Sequence, residues 1–244
     1  MTIPLYWWKD KPNFGDRLSE MIVRHISGQN VEYAEGECRS KLLALGSVLS
    51  KTQPGDHVWG TGFLRPGRIP KDIHVHAVRG PLTRKCLLDA GIDCPEVYGD
   101  PGLLMPRIYS TVMDKRCGTL VLPHHSDWKL KHFAKRENFP FISVGMPPLE
   151  VIDAICSAER LITSSLHGLI IAEAYGVPAI LWRDSGQTWE PHFKFLDYFA
   201  STGRDDPTVY DLPLRETVKL IDDFPRPVFP DLSLLRSSFP QSWP

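Results

Sequence analysis

Short apolar runs alternate with segments of helical period along most of this chain, and that alternation constrains the fold more than any other feature. "IPLYWW" reads as a strand and "GDRLSEMIVRHI" as a helix, with Leu18, Ile22 and His25 or Ile26 at helical spacing. "KLLALGSVLS" fits either element. "DHVWG" and "IHVHAV" read as strands closed by glycine-containing turns. "PLTRKCLLDAG" opens on proline and closes on glycine, the usual punctuation of a helix. "EVYGDPGLLMP" reads as a returning strand that stops at proline. Beyond "STVMDKRC" the pattern restarts with the strands "GTLVLPHH", "FISVG", "RLITS" and "PAILW". Between and after them lie the helices "DWKLKHFAKR", "PLEVIDAICSAE", "LHGLIIAEAYG" and "HFKFLDYFA". Strands alternating with helices imply right-handed βαβ units and parallel sheets. Repetition on both sides of residue 112 predicts an α/β fold of two doubly wound, Rossmann-like halves, 1–112 and 113–244. The second half ends in one more helix around "RETVKL" and a proline-punctuated tail.

Composition narrows the function classes. A formal net charge of −1 with 23% charged residues gives no basic excess for nucleic acid, so an anionic ligand must be held by local cations. The 5 cysteines, Cys38, Cys86, Cys94, Cys117 and Cys156, include no C-x-x-C pair, which argues against a disulfide framework and a zinc site. No cationic leader precedes an apolar run, and no run approaches the roughly 20 residues that span a bilayer. A cytoplasmic protein is expected, with contact at the inner face of a membrane as an option. "YWW" and "SSFPQSWP" are read as core or interdomain packing, with a membrane interface as the alternative.

In open parallel sheets ligands bind beyond the carboxyl ends of the strands. "LITSSLHGLIIAEAYGVPAILW" places Ser164, Ser165 and His167 at such a point, where unsatisfied N–H groups and the helix dipole favour an anion. The serines are equally suited to cap the helix. Gly168 allows close approach of a ligand or of the neighbouring strand. In "PNFGDRLSEM", Asn13 and Gly15 form a turn, and Asp16 is either the helix cap or a base toward a sugar hydroxyl. Gly60, Thr61 and Gly62 form a G-T-G turn whose amides can approach a ligand, although the dinucleotide fingerprint is incomplete. Arg79 ends a buried strand, and its head must find an anion or carbonyls. Arg84 is divided between pairing with a carboxylate and binding ligand. Asp100 either holds its turn or pairs with an arginine, and Lys194 reaches over the cleft from an aromatic helix. His124 and His125 resemble metal ligands, but neighbouring residues at a strand end are expected to point in opposite directions. No G-x-S-x-G elbow marks a serine hydrolase.

Taken in order, "NFGD", "KLLALGSVLS", "DHVWGTG", "AVRGPLTR", "PEVYGDPGLL", "LVLPHH", "SSLHGLIIAEAYGVPAI" and "FKFLDYFASTGR" resemble the polysaccharide pyruvyltransferases, most closely the xanthan-type members. The resemblance runs from Asn13 to Arg204. It implies a fold like the B-type glycosyltransferases, with the site between the halves, and transfer of pyruvate from phosphoenolpyruvate to a glycan as a cyclic ketal. Many members carry arginine immediately before the Leu-His pair. Here Ser165 stands there, as in the xanthan type, so the cations are expected from Arg79, Arg84 or Lys194.

On that reading phosphoenolpyruvate is donor substrate, and neither metal nor cofactor is called for. The partner is a glycan acceptor, free or lipid-linked. His167 and Arg79 jointly serve donor protonation and phosphate departure, and Asp16 activates the acceptor hydroxyl. Two rivals remain: a sugar-nucleotide glycosyltransferase, for which no acidic ribose motif is found, and a non-catalytic glycan-binding component of polymer assembly.

Overall fold

A computed structural model describes residues 2–35, 40–111, 114, 117–182, 192–204, 209–210, 227–228 and 230–241. The first sheet contains β1 (Thr2–Tyr6), β2 (Asn30–Tyr33), β3 (Leu42–Leu43), β4 (His57–Trp59) and β5 (His74–Ala77). Their spatial order is β2-β1-β3-β4-β5, and every pairing is parallel. The second sheet, β6 (Cys117–Leu122), β7 (Ala158–Thr163), β8 (Ala179–Trp182) and β9 (Val209–Tyr210), is parallel throughout and runs in sequence order. Parallel neighbours require crossovers; β2 to β3, β3 to β4 and β4 to β5 are joined without an α-helix among the described residues, and the remaining crossovers run through helices. The helices are α1 (Phe14–Ser27), α2 (Pro81–Asp89), α3 (Trp128–Arg136), α4 (Pro148–Cys156), α5 (Leu166–Ala174) and α6 (His192–Ser201), with α7 (Ser233–Ser237) in the tail. Two Rossmann-like halves therefore stand as the alternation implies, and the break between the sheets falls between Ala77 and Cys117.

Local chemistry accounts for the elements that frame the site. The Asn13 side chain accepts from Gly15 N at the start of α1, and Gly28, at φ 66°, closes the helix in the left-handed region. Phe14, Leu18 and Ile22 are buried beneath α1. In α5 every residue from Leu166 to Glu173 is buried, as expected of a helix apolar all round and enclosed on every side. One apolar core joins the halves, with Leu5, Leu45 and Leu104 in the same cluster as Leu122, Leu169 and Ile170.

Some elements differ from the sequence reading. "EVYGDPGLLMP" is not a strand. After a single bridge between Tyr98 and Val78 the chain turns into a 3-10 helix, Pro101–Arg107. The Asp100 carboxylate caps it through Gly102 N, and Pro101 suits its first position. "FISVG" is reduced to one bridge, Val121 with Phe141. "KLLALGSVLS" resolves into β3, a turn through Gly46 at φ 90°, and a 3-10 helix Leu49–Lys51. The edge strand β2 was not foreseen, because its residues are only half-buried or exposed. The helix around "RETVKL" lies outside the described residues.

α6 and the tail cross back to the first half. α6 packs on α2, while Trp59 Nε1 donates to Leu235 O at 2.8 Å and the Trp59 ring meets Phe239 edge-on. Trp7 and Phe239 are buried, which accounts for two of the aromatics in "YWW" and "SSFPQSWP" by packing. Among the described residues no helix is long and apolar enough to cross a membrane.

The end of α5 fixes the angle of α6. Buried Glu173 receives both Arg204 terminal nitrogens, at 2.7 and 3.0 Å, and the Tyr198 hydroxyl at 2.5 Å. Glu173→Ala strands a buried phenol and a largely buried guanidinium. Urea unfolding should show a loss of about 3 kcal/mol with the m-value unchanged; a smaller loss than about 1 kcal/mol would mean the pair is replaceable by solvent.

Candidate active site

Loops at the carboxyl ends of β1, β3, β6 and β7 converge on one cleft, and two helices begin there. At the start of α1, Asn13 is the cap, so Asp16 does not serve as one; it sits at the third helical position. Asp16 is buried, and desolvation raises its pKa to about 7 against the opposing pull of Lys194, with Asp100 adding to the rise. The β3 turn wraps this carboxylate: a Cβ at Gly46 would lie 2.8 Å from Asp16 Oδ1.

At the start of α5 the serines divide their work. Ser165 Oγ accepts from Gly168 N at 3.3 Å as the helix cap, and Ser165 also lines the cleft. Ser164 Oγ accepts from His124 N at 2.9 Å and so holds the loop after β6 rather than a ligand. The N–H groups of Leu166 and His167 have no partner among the described residues, which leaves them to the cleft. Gly168 serves the neighbouring strand: a Cβ there would meet Thr163 Oγ1 at 2.6 Å and Leu122 at 2.9 Å.

The two helix starts abut. His167 rests directly on Gly15, where a Cβ would fall 2.1 Å from its Nδ1. Its Nε2 faces Asp100 Oδ2 at 3.9 Å, and both atoms are buried without a hydrogen-bond partner among the described residues. Burial, reinforced by Lys194 and Arg79, lowers the His167 pKa to about 3, so the imidazole is neutral at pH 7. Burial raises Asp100 to about 6 despite the Gly102 amide and Arg79.

The cleft has a volume of about 410 Å³. Asn13, Asp16, Ser47, Ser165, His167 and Lys194 line it, with Lys51 and Arg65 adding positive charge. Lys194 is partly buried on α6, where burial and then Arg79 bring its pKa down to about 8. His124 and His125 also line the cleft, contrary to the expectation that they point apart. Both lie past Leu122, the last residue of β6, in a turn that brings their ring centroids to 4.0 Å with the planes tilted by 42°. His124 is held neutral by burial, near pKa 3. No group of three His, Cys, Asp or Glu side chains is placed to hold a metal among the described residues.

Arg79 is wholly buried and does not line the cleft. Its Nε donates to Asp197 Oδ2 at 3.1 Å, Nη2 to Phe63 O and Nη1 to Ser47 Oγ, both at 2.7 Å. Thr83 N and Oγ1 complete the grip on Asp197 at 2.8 and 2.7 Å. Gly80 lets α6 pass, since a Cβ there would lie 1.9 Å from Asp197 O. Arg84 is likewise occupied, donating from Nε to Cys94 O. The G-T-G turn is a packing device: Gly60, at φ 86°, lies against Pro101, Thr61 Oγ1 donates to Gly46 O, and Gly62 lies against the Arg79 guanidinium. Of the three cations expected from sequence, Lys194 alone lines the cleft. Ser47, Gly46, Asp197 and the two histidines were not foreseen as parts of the site. Reading Asn13 as the helix cap would have placed Asp16 at the third helical position.

The family model for polysaccharide pyruvyl transferase matches residues 58–182, which carry β4 through β8, Arg79, Asp100, the paired histidines and the start of α5. An uncharacterised protein of Acanthamoeba polyphaga mimivirus is 26% identical over 234 residues, covering 89% of this chain and 80% of that protein. Succinoglycan biosynthesis protein ExoV of Rhizobium meliloti (strain 1021) is 27% identical over 214 residues, 76% of this chain and 64% of ExoV. Among solved structures, a functionally uncharacterised protein of Klebsiella pneumoniae aligns at a TM-score of 0.48 and 10% identity, over 80% of this chain and 87% of that one. With half of its length matched by the family model, including the helix start that forms one wall of the cleft, the chain belongs to the polysaccharide pyruvyl transferase family.

Proposed function

We propose that the chain transfers pyruvate from phosphoenolpyruvate to a sugar of an exopolysaccharide, capsule or related glycan, as a cyclic ketal across two hydroxyls. One observation carries this reading. Two helix N-termini meet at a cleft holding a neutral buried histidine, a lysine of lowered pKa and an aspartate of raised pKa. Phosphoenolpyruvate brings about three negative charges in a small volume. Open N–H groups at Leu166 and His167, with Lys194, suit one of its anionic groups, and Lys51 and Arg65 suit the other.

The donor's charge raises the pKa of His167 and Lys194 on binding. His167, backed by Asp100, then protonates the vinyl methylene, and carbon 2 becomes electrophilic. Asp16 takes the proton from the first acceptor hydroxyl as its oxygen bonds to carbon 2. The bond to phosphate breaks, phosphate leaves against Lys194, and the second hydroxyl closes the ketal with loss of its proton. Arg79 contributes by position: it fixes Ser47 and, through Asp197, the helix that carries Lys194.

The direct test is incubation with phosphoenolpyruvate and mannosyl, galactosyl and glucosyl acceptors. A mass gain on the sugar matched by phosphate release is expected, and absence of both across the panel rejects the reading. His167→Ala should lower kcat/KM about 30- to 1000-fold in folded protein; turnover near wild type removes the residue from the chemistry.

Asp16→Asn separates activity from stability. Its turnover should fall about 100-fold or more. The folded pKa near 7 lies above the unfolded value of 3.8, so the native state binds the extra proton and loses stability as pH rises through that window. The variant should therefore melt higher than wild type at pH 8 and equally at pH 3. A lower melting temperature at pH 8 would show that the carboxylate is a structural anchor.

A further inference from the structure

A second groove of about 500 Å³ opens beside the cleft and shares Trp8 and Asn13 with it. Trp8 forms the partition. Its Nε1 donates to Asp10 Oδ2 at 3.0 Å, and its ring stacks on His125 with centroids 5.8 Å apart. Held in that way, the indole offers an apolar plate at the boundary, the surface on which the C–H face of a pyranose rests.

The groove is cationic in a chain of net charge −1. Lys9, Lys11, Arg17 and Glu20 are the charged residues that line it. Lys9 is engaged over Tyr33, 3.3 Å from the ring centroid, and Glu20 is neutralised by Arg24 at 2.8 Å. Lys11 and Arg17 have neither an ion pair nor a hydrogen bond among the described residues. Two exposed cations thus line the groove beside the aromatic plate, and Lys11 lies near enough to His124 and His125 at the cleft edge to help lower their pKa.

We infer that this groove is an acceptor subsite that reads an anionic group, carboxylate or phosphate, on the glycan next to the sugar being modified. The inference rests on the pyruvyl-transfer reading. With the terminal sugar in the cleft, the chain of the acceptor runs over Trp8, and its charged group falls between Lys11 and Arg17. Uronic acids and glycosyl phosphates share this chemistry, so the groove accepts either in principle and geometry selects between them.

The test compares three otherwise matched acceptors with phosphoenolpyruvate as donor: a neutral disaccharide, one with a uronate as second residue, and a glycosyl phosphate. Wild type should use one of the anionic acceptors with the lower KM, and which one identifies the source of the charge. In the double variant Lys11→Gln/Arg17→Gln, the ratio of kcat/KM for the anionic over the neutral acceptor should fall about five- to tenfold, and added salt should erode the same preference in wild type. Equal use of all three acceptors by wild type, or an unchanged ratio in the variant, overturns the inference and leaves pyruvyl transfer standing. No turnover of any acceptor overturns both.

Discussion

The site depends on the buried pairing of Arg79 with Asp197, two residues 118 positions apart in sequence. A guanidinium removed from water must have all its donors answered, or the cost is several kcal/mol. Here each of the three guanidinium nitrogens donates once, to Asp197, Phe63 O and Ser47 Oγ, while Thr83 also donates to the carboxylate. This constellation explains the run Arg79-Gly80-Pro81 as one device. The arginine receives α6, the glycine lets it approach, and the proline starts α2 against it. Because α6 carries Lys194 three residues before Asp197, the same contact that closes the fold sets a cation over the cleft.

Burial then separates the proton affinities. Asp16 and Lys194 are drawn from opposite directions toward pKa values of about 7 and 8, while His167 and His124 are pressed to about 3. The unliganded cleft therefore holds neutral imidazoles, one poised carboxyl and one poised ammonium. Such a site stores a response to an incoming anion: added negative charge pulls protons onto His167 and Lys194, where the proposed chemistry requires them. Gly15 and Gly46 make this compression feasible, since neither position has room for a side chain beside His167 or Asp16.

The parallel α/β architecture was legible in sequence because strand and helix periods alternate in both halves, most regularly in the second. Legibility failed where local chemistry outweighed the apolar pattern. Asp100-Pro101-Gly102 caps a 3-10 helix, so "GLLMP" buries its leucines without forming a strand. β2, on the edge, carries no apolar run to read. Asp16 and His167 stood out by residue type at strand-to-helix turns and Lys194 on its aromatic helix, and all three line the cleft. Arg79 stood out for the same reason but faces inward, because its partner Asp197 lies in another motif and no spacing connects them. The roles of Ser47 and Gly46 follow from tertiary contacts alone.

Under the proposed function, the meeting point of α1 and α5 binds a small, multiply charged anion. Calorimetric titration of the whole chain with phosphoenolpyruvate measures this without reference to any acceptor. Saturable binding is predicted, weakening as pH rises past about 8 when Lys194 loses its proton, and largely lost in Lys194→Met. Absence of binding, or binding that Lys194→Met leaves intact, would contradict it.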